Sequence, residues 1–283
     1  MNNLVDKSEK GTVFLKSAAV LMKYRDFAIL TGLILLAVIL SLMFQLPILP
    51  STLLYTLAPS AYLIWRRPAL FSNALTGGVA LGIAWGVPFD IFAGFNGAWR
   101  GTIHTGIMLP SFFNLMPLDI IIVYFSWVFL TVTFYYFFTD TPLPRIRATA
   151  FCRSTGWGIL TTILLILIIH FIPSLLTIKY AYLLIGLFML IPAAIIAMQQ
   201  PALLRNILPI VPFFLTTYLL YELTSLVNNL WQFPGTYLTM VHIFGLRFPL
   251  EELIFWCTTN SAVIIVYYSW IFRDQFSKEN KTL

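Results

Sequence analysis

Eight apolar segments recur along this chain, and they constrain its fold more than any other feature. They cover approximately residues 27–45, 51–65, 74–96, 117–138, 157–173, 179–198, 207–227 and 249–272. Most approach the roughly 20 residues that a helix needs to cross the hydrocarbon of a bilayer. Because a backbone in lipid must satisfy its own hydrogen bonds, the pattern predicts an all-α integral membrane protein with about eight transmembrane helices.

The composition excludes an ordinary soluble domain. Of the 283 residues, 59% are hydrophobic and only 10% are charged, far from the averages of soluble proteins. The formal net charge is +6, but the basic residues are dispersed among loops, so we expect no nucleic-acid partner. The two cysteines lie far apart and predict neither a disulfide framework nor a metal site.

The distribution of positive charge predicts the orientation. With eight spans, the side that holds the N-terminus carries fourteen of the seventeen Lys and Arg residues, and the other side carries only Arg100, Lys179 and Arg247. The positive-inside rule then places both termini in the cytoplasm. We therefore expect a cytoplasmic N-terminal segment (1–26), a cytoplasmic tail (273–283) and a location in a bacterial or archaeal cell membrane.

An internal repeat is found when the sequence is shifted by 132 positions. The coinciding residues are Asp90 and Glu222, Trp99 and Trp231, Pro117 and Pro249, Asp119 and Glu251, and the pairs Tyr135-Tyr136 and Tyr267-Tyr268. Such a gap-free coincidence predicts two transmembrane repeats, 27–139 and 157–272, joined by a cytoplasmic linker, 140–156. Because each repeat has an even number of spans, both enter the membrane in the same direction, which predicts a parallel repeat.

The repeated pattern contains five of the eleven acidic residues. They are Asp90, Asp119, Glu222, Glu251 and Glu252. A charged group inside a bilayer is usually retained for a pathway, a proton relay or a ligand, and the predicted topology brings all five to one depth on the non-cytoplasmic side. The alternative is that Glu251 and Glu252 lie at the interface and merely begin a helix, where acids favour the positive end of the dipole.

Aromatic residues accompany the acids at helical spacing. Phe255 follows Glu251 by four residues and Trp256 follows Glu252 by four, so on a helix each acid shares a face with a ring. Tyr124 occupies the place in the first half that matches Trp256. The sequence therefore predicts an aromatic wall beside the acids.

Two tryptophans and two arginines near the acids have alternative interpretations. Trp99 and Trp231 fall at a membrane interface, where tryptophan commonly serves as an anchor, but their matched register favours a shared lid over a cavity. Arg100 and Arg247 are close enough in sequence to form ion pairs with the acids, which would keep the carboxylates ionised.

Two segments resemble the lycopene cyclase domain family, the integral-membrane carotenoid cyclases that occur as paired small subunits or as fused tandem repeats. They are Pro88-Phe89-Asp90 with Asn96-Gly97-Ala98-Trp99, and Pro249-Leu250-Glu251-Glu252 with Phe255 and Trp256. The chain departs from the family pattern at Ile120, where a second acid would stand, and at Glu222, where aspartate is more frequent. The resemblance implies redox-neutral, proton-initiated ring closure at the ends of a linear, lycopene-type polyene.

This chemistry requires a protonated carboxylic acid and aromatic faces that tolerate a carbocation. Glu251 or Glu252 is the candidate general acid, and Asp90, Asp119 and Glu222 are candidates for the base or for holding the proton. The candidate substrate-binding residues are Pro88, Trp99, Tyr124, Trp231, Pro249, Phe255 and Trp256. The chain has no helical pair of His ligands and no Gly-rich phosphate fingerprint, so we expect no metal and no cofactor.

The expected partners are a hydrophobic polyene or isoprenoid from the lipid phase, membrane lipids and other carotenoid enzymes. A proton- or cation-coupled small transporter with paired acids at the repeat interface is an alternative function. It predicts a water-lined path that reaches both sides, whereas a cyclase predicts an apolar, aromatic slot that opens sideways to lipid. A noncatalytic carotenoid-binding subunit is a third possibility.

Overall fold

The computed structural model describes residues 2–101, 111–112, 116–139 and 141–272, with the backbone alone for 2–21, 111–112 and 116–117. Within these residues, eight helices are long and apolar enough to cross a membrane, which confirms the predicted helical membrane protein. They are α1 (Asn2–Met43), α2 (Ile48–Arg66), α3 (Leu70–Phe95), α4 (Leu118–Phe138), α5 (Ala148–Phe171), α6 (Ala181–Met198), α7 (Pro201–Val227) and α8 (Glu252–Phe272). The predicted tail, 273–283, lies outside the described residues.

Two helices extend further than hydropathy predicts. The spanning part of α1 is Met22–Met43, but the helix itself begins at Asn2, within the segment predicted as polar and cytoplasmic. α5 begins at Ala148, so the predicted linker is reduced to a non-helical stretch that ends at Arg147. In α5, Arg153 and its polar neighbours lower the hydropathy on which the prediction depended, but these residues are compatible with a helix at the membrane surface.

Short antiparallel strands were not part of the all-α prediction, and they join the helices at one end of the bundle. Between α3 and α4 lie β1 (Arg100–Gly101), β2 (Ser111–Phe112) and β3 (Met116–Pro117), and between α7 and α8 lie β4 (Trp231–Gln232), β5 (Met240–Ile243) and β6 (Leu246–Pro249). β1 pairs with β4, β2 with β3, and β5 with β6. In the β5–β6 turn, Phe244 and Gly245 both have positive φ, as a two-residue hairpin of type I′ requires.

The helix α4 lies at the centre of the bundle, against α2, α3 and α8. Its Trp127 is buried and stacks on Tyr218 of α7, with 4.3 Å between the ring centroids. Gly82 lets α3 approach α4 closely, because a Cβ there would lie 2.7 Å from the carbonyl oxygen of Tyr124. Small residues allow close helix contacts of this kind in membranes.

The helix α5 lies at the periphery and contacts α3. Its buried residues are only Ser154, Gly158 and Thr162. A Cβ at Gly158 would lie 2.2 Å from the carbonyl oxygen of Ala84 on α3, so this contact depends on the absence of a side chain. Many apolar side chains of α5, such as Trp157, Leu160 and Leu164, are exposed, as expected for a helix that faces lipid.

Two π-helical segments interrupt the regular helices, at Gly78–Ile83 in α3 and at Glu252–Thr259 in α8. In α8, the hydroxyl of Thr258 donates to the carbonyl of Leu253, five residues earlier, at 2.7 Å. A π segment changes the register of every side chain in it and is frequent at functional sites. The first turns of α8, which carry the acids, therefore do not have α-helical spacing.

Candidate functional site

A cavity of about 710 Å³ runs between α3, α4, α5, α6 and α8. The helix α8 lines the cavity from Glu252 to Ile271, which corresponds to roughly 28 Å if each residue rises about 1.5 Å. Aromatic and aliphatic side chains make up most of the wall, and the acidic residues in it, Asp90 and Glu252, meet at one end. We call this end of the cavity the acid end.

On one wall of the acid end, α3 contributes Asp90, which is buried. One oxygen of this carboxyl, Oδ1, accepts hydrogen bonds from the indole Nε1 of Trp99 at 2.8 Å and from the hydroxyl of Tyr124 at 3.1 Å. Two donors on one oxygen suit a carboxylate that is ionised or ready to accept a proton. Asp90 therefore has the surroundings of a base.

Glu252 of α8 also lines the acid end, and Glu222 of α7 lies outside the wall; both are buried. The hydroxyl of Tyr182 donates to Oε2 of Glu252, and the indole Nε1 of Trp231 donates to Oε1 of Glu222 at 2.9 Å. The two carboxyl groups interact electrostatically, and Oε2 of Glu222 is buried without a hydrogen-bond partner among the described residues. A proton on one of the two carboxyl groups would supply the missing donor. The pair is therefore a candidate place to hold a proton beside the cavity.

The two tryptophans make matching contacts. Each donates to the acid nine residues before it, Trp99 to Asp90 and Trp231 to Glu222. The pairing of β1 with β4 joins the two chain segments, with Gly101 opposite Trp231. Both indoles line the acid end of the cavity, which agrees with the interpretation of these residues as a shared lid.

The loops that cover the acid end are tied together by Tyr237. Its hydroxyl donates to the carbonyl of Ala98 at 2.9 Å and accepts from the backbone N–H of Gly235 at 2.7 Å. Burial raises the pKa of Tyr237 to about 12, so its hydroxyl remains a donor at neutral pH. The loop before α8 is thereby held against the loop after α3.

Glu251 is turned away from the cavity, although it is adjacent to Glu252. Its Oε1 accepts the backbone N–H of Leu238 at 2.7 Å, and it is not part of the cavity wall. Asp119, at the start of α4, is buried and also lies outside the wall. In this register the side chain of Glu252 faces the cavity and that of Glu251 does not.

Seven of the twelve candidate residues line the cavity, and five do not. The seven are Asp90, Trp99, Tyr124, Trp231, Glu252, Phe255 and Trp256. The five outside the wall are Asp119, Glu222, Glu251, Pro88 and Pro249. Because α8 begins with a π segment, Phe255 and Trp256 both lie on the cavity side with Glu252, so the expected sharing of a face between Glu251 and Phe255 is not observed.

An aromatic wall adjoins the acids, as predicted. Trp256 contacts Tyr124, Trp127 and Tyr218 edge to face, with ring centroids 6.4, 6.1 and 5.0 Å apart. Phe255 lies against Gly186 of α6, where a Cβ would be 2.1 Å from the ring. Any side chain at position 186 would therefore displace Phe255 from the wall.

Tyr182 is the site residue that sequence reasoning missed. It donates to Glu252 and packs edge-on against Trp99, with 4.9 Å between ring centroids. The position that matches it in the first half is Pro50, so the repeat gives no signal for it. A tyrosine at the start of an apolar helix also resembles an ordinary interfacial anchor.

The cavity reaches the exposed outer surface of the bundle. Two of the rings that line it, Phe188 in the middle of α6 and Trp270 near the end of α8, are 67% and 59% exposed. The α5 side of the wall includes Ala150, Arg153 and Ser154, at the end away from the acids. An apolar molecule in the membrane would meet this opening without crossing water.

Arginine does not neutralise the acids. In the part of the chain that the structure describes, neither Arg100 nor Arg247 forms an ion pair with any of the five acids, and both arginines are exposed. Across the same residues, no group of three or more His, Cys, Asp or Glu side chains is arranged to hold a metal ion. Hydrogen-bond donors and neighbouring carboxyl groups therefore determine the electrostatics of the acid end.

The fold and the site define a helical membrane protein with an elongated apolar cavity and a buried cluster of carboxyl groups at one end. Comparison of the chain with protein-family models, with curated proteins and with solved structures finds no match. The chemistry of the site is thus the basis for a functional proposal.

Proposed function

We propose that this protein is a carotenoid cyclase of the lycopene type, which closes a ring at the end of a linear polyene without net oxidation or reduction. The main support is one arrangement: a long apolar slot that opens to lipid and ends at a carboxyl pair among aromatic rings. A slot of this shape suits a rod-like polyene better than a compact polar solute. The lateral opening suits a substrate dissolved in the bilayer.

In the proposed reaction, Glu252 is the general acid because it faces the cavity and interacts with Glu222, with which it can share a proton. Its O–H bond breaks as the proton adds to the terminal carbon–carbon double bond of the polyene, which leaves a tertiary carbocation. The π electrons of a nearby double bond then form the new carbon–carbon bond of a six-membered ring. A base removes one proton to restore a double bond, so substrate and product have the same composition.

Asp90 is the proposed base. It lines the same cavity as Glu252 and accepts hydrogen bonds from Trp99 and Tyr124, which hold the carboxylate in one orientation. Trp256 and Tyr124 line the space between the two acids, and their π faces suit a passing positive charge. The return of the proton from Asp90 to the Glu222–Glu252 pair resets the site, so no cofactor takes part.

The parallel repeat belongs to the same proposal. The two tryptophan–acid hydrogen bonds, made at equal spacing in the two halves, support it. So does the pairing of Arg100 with Gln232, since these residues are 132 positions apart and a two-fold axis between the halves brings such residues opposite each other. We also propose that both termini are cytoplasmic in a bacterial or archaeal cell membrane, on the basis of the positive-inside rule.

Expression in a lycopene-producing bacterium, followed by chromatography of the pigments, tests the proposal. We expect ring-containing products with the mass of lycopene. Unchanged lycopene in cells that contain the folded protein would overturn the enzymatic assignment. If the polyene copurifies unchanged with the protein, the function is that of a noncatalytic carotenoid-binding subunit.

A proton- or cation-coupled transporter is the second candidate, and the length of the cavity favours it. The cavity extends along most of α8 and reaches Arg153 at the end away from the acids. Its lining between the two ends is largely apolar, however, which disfavours a continuous water path. Proteoliposomes with an internal pH dye distinguish the two functions, because a transporter would acidify or alkalinise the lumen and a cyclase would not.

A further inference from the structure

We infer that the two halves of the chain share a single reaction slot, so that each binding event closes one ring and the substrate must leave before its other end reacts. This inference rests on the proposed function and deepens it. It concerns the number of sites, which is not obvious for a duplicated chain. Two equivalent halves would ordinarily suggest two equivalent sites, one for each end of a symmetric polyene.

Both halves of the chain contribute residues to the same cavity. Asp90 and Tyr124 come from the first half, and Glu252, Phe255 and Trp256 come from the second half. All five line one continuous cavity. The tryptophan lids of both halves also border it. The candidate acid and the candidate base therefore belong to different halves, and neither half has a complete set alone.

Buried aromatic rings occupy the corresponding region on the other side of the repeat. Gly82 and Gly86 line the cavity on α3, and the positions 132 residues later are Phe214 and Tyr218 on α7. Both rings are fully buried. The ring of Tyr218 stacks on Trp127, and the ring of Phe214 lies 5.2 Å from that of Phe134 in the central core. Large buried aromatics thus stand at the positions that correspond to two cavity-lining glycines of the first half.

Polar contacts between α2 and α7 seal the same region. The hydroxyls of Thr52 and Tyr221 form a buried hydrogen bond, and the hydroxyl of Tyr55 lies 2.9 Å from that of Thr224. Tyr55 is fully buried. A substrate that entered here would have to break both of these buried contacts, which is unfavourable in an apolar interior.

Glu252, the proposed acid, and Tyr182, its hydrogen-bond donor, are present in the second half and have no chemical counterpart in the first half. Glu252 corresponds to Ile120, so the first half has no second carboxyl to pair with Asp90. Tyr182, the donor to Glu252, corresponds to Pro50, which has no hydroxyl. The two halves therefore share the tryptophans Trp99 and Trp231, but only the second half has Glu252 and its donor Tyr182.

The consequence is a distributive reaction. The acid end is covered by Trp99 and Trp231, so a polyene can present only one terminus to Glu252 at a time. To react at its second terminus, the one-ring product has to leave through the lateral opening and return in the reverse orientation. The free one-ring product is then a necessary intermediate in any two-ring product.

The test is a pulse–chase experiment on membranes that contain the full-length protein. Isotope-labelled lycopene is supplied in excess over the protein, and unlabelled lycopene is added in large excess once one-ring product has formed. We expect the labelled one-ring product to appear first and the chase to suppress its conversion to labelled two-ring product several-fold. Conversion of the label to two-ring product at an unchanged rate after the chase would overturn the single slot.

Variants in each half provide an independent arm of the test. With one shared slot, Asp90→Asn and Glu252→Gln should each abolish every ring, whereas two independent sites would leave a one-ring product in each variant. Size-exclusion chromatography of the solubilised variants verifies that they are folded. Absence of any cyclic product from the wild-type protein would instead refute the proposed function itself, so the two failures are distinguishable.

Discussion

Glu251 and Glu252 are neighbours in the chain but have different surroundings. Glu252 faces the cavity, receives a hydrogen bond from Tyr182 and meets the carboxyl of Glu222. Glu251 accepts a backbone N–H from Leu238 and has a structural position. One residue of register thus separates an acid that can reach a substrate from one that holds a loop.

This difference yields a prediction with a matched control. Glu252→Gln should lower ring formation by about 10²- to 10⁴-fold, because an amide cannot donate the proton that general acid catalysis requires. Glu251→Gln should retain most of the activity, since the amide oxygen can still accept the N–H of Leu238. The measurement is ring-containing product per unit of membrane protein in a lycopene-producing host. Equal loss in both variants would contradict the assignment of the acid.

At the scale of the helices, the close contact between α5 and α3 depends on a single glycine, Gly158. Gly158 lies directly against the backbone of Ala84, whereas Gly156, half a turn earlier, has no atom within 4 Å of a built Cβ. The wall of the cavity on the α5 side includes Ser154 and Arg153. Any outward shift of α5 would therefore widen the slot.

We predict that Gly158→Ala destabilises the protein, by roughly 1–3 kcal/mol, the usual effect of overpacking a close contact. Gly156→Ala should be neutral or slightly stabilising, because alanine favours the helix and meets nothing there. The fraction of protein that remains monodisperse after heating in detergent measures both. If the two substitutions shift the melting temperature equally, the close approach of α5 to α3 is wrong.

At the scale of the whole molecule, the two cysteines report on packing and orientation. Cys152 is exposed near the start of α5, whereas Cys257 is buried in α8 beside the acid end. In the proposed orientation, Cys152 is on the cytoplasmic side. The two thiols should therefore differ both in reactivity and in the side from which they can be reached.

We predict that a membrane-impermeant maleimide labels Cys152 in inverted vesicles and not in intact cells. Cys257 should react only after denaturation, since the fold covers it. Mass spectrometry of the labelled peptides, with Cys152→Ser as the control, reads out both results. Labelling of Cys152 from outside intact cells would reverse the orientation, and rapid labelling of native Cys257 would contradict the packing of α8.

The helices were well predicted because a membrane span is a local property. Twenty consecutive apolar residues need no knowledge of the rest of the chain. The eight predicted segments agree with the eight helices to within about six residues, apart from the larger early starts of α1 and α5. The pairing of β1 with β4 was missed because it joins loop segments far apart in sequence, such as Arg100 and Gln232. The pairs β2–β3 and β5–β6 are local, but their strands are too short to show a clear alternating pattern. The π segments were missed because no residue type specifies them.

The candidate site divides in the same way. Sequence alone determined that this chain enters a membrane and that Asp90 and Glu252 are unusual within it, because hydropathy and the scarcity of acids are written in consecutive residues. Only the tertiary structure decided that these two acids face one cavity and that Glu251 does not. It also decided that Tyr182 donates to Glu252 and packs against Trp99, the donor to Asp90. Those outcomes depend on helix register and on contacts between distant helices, and no local pattern encodes either.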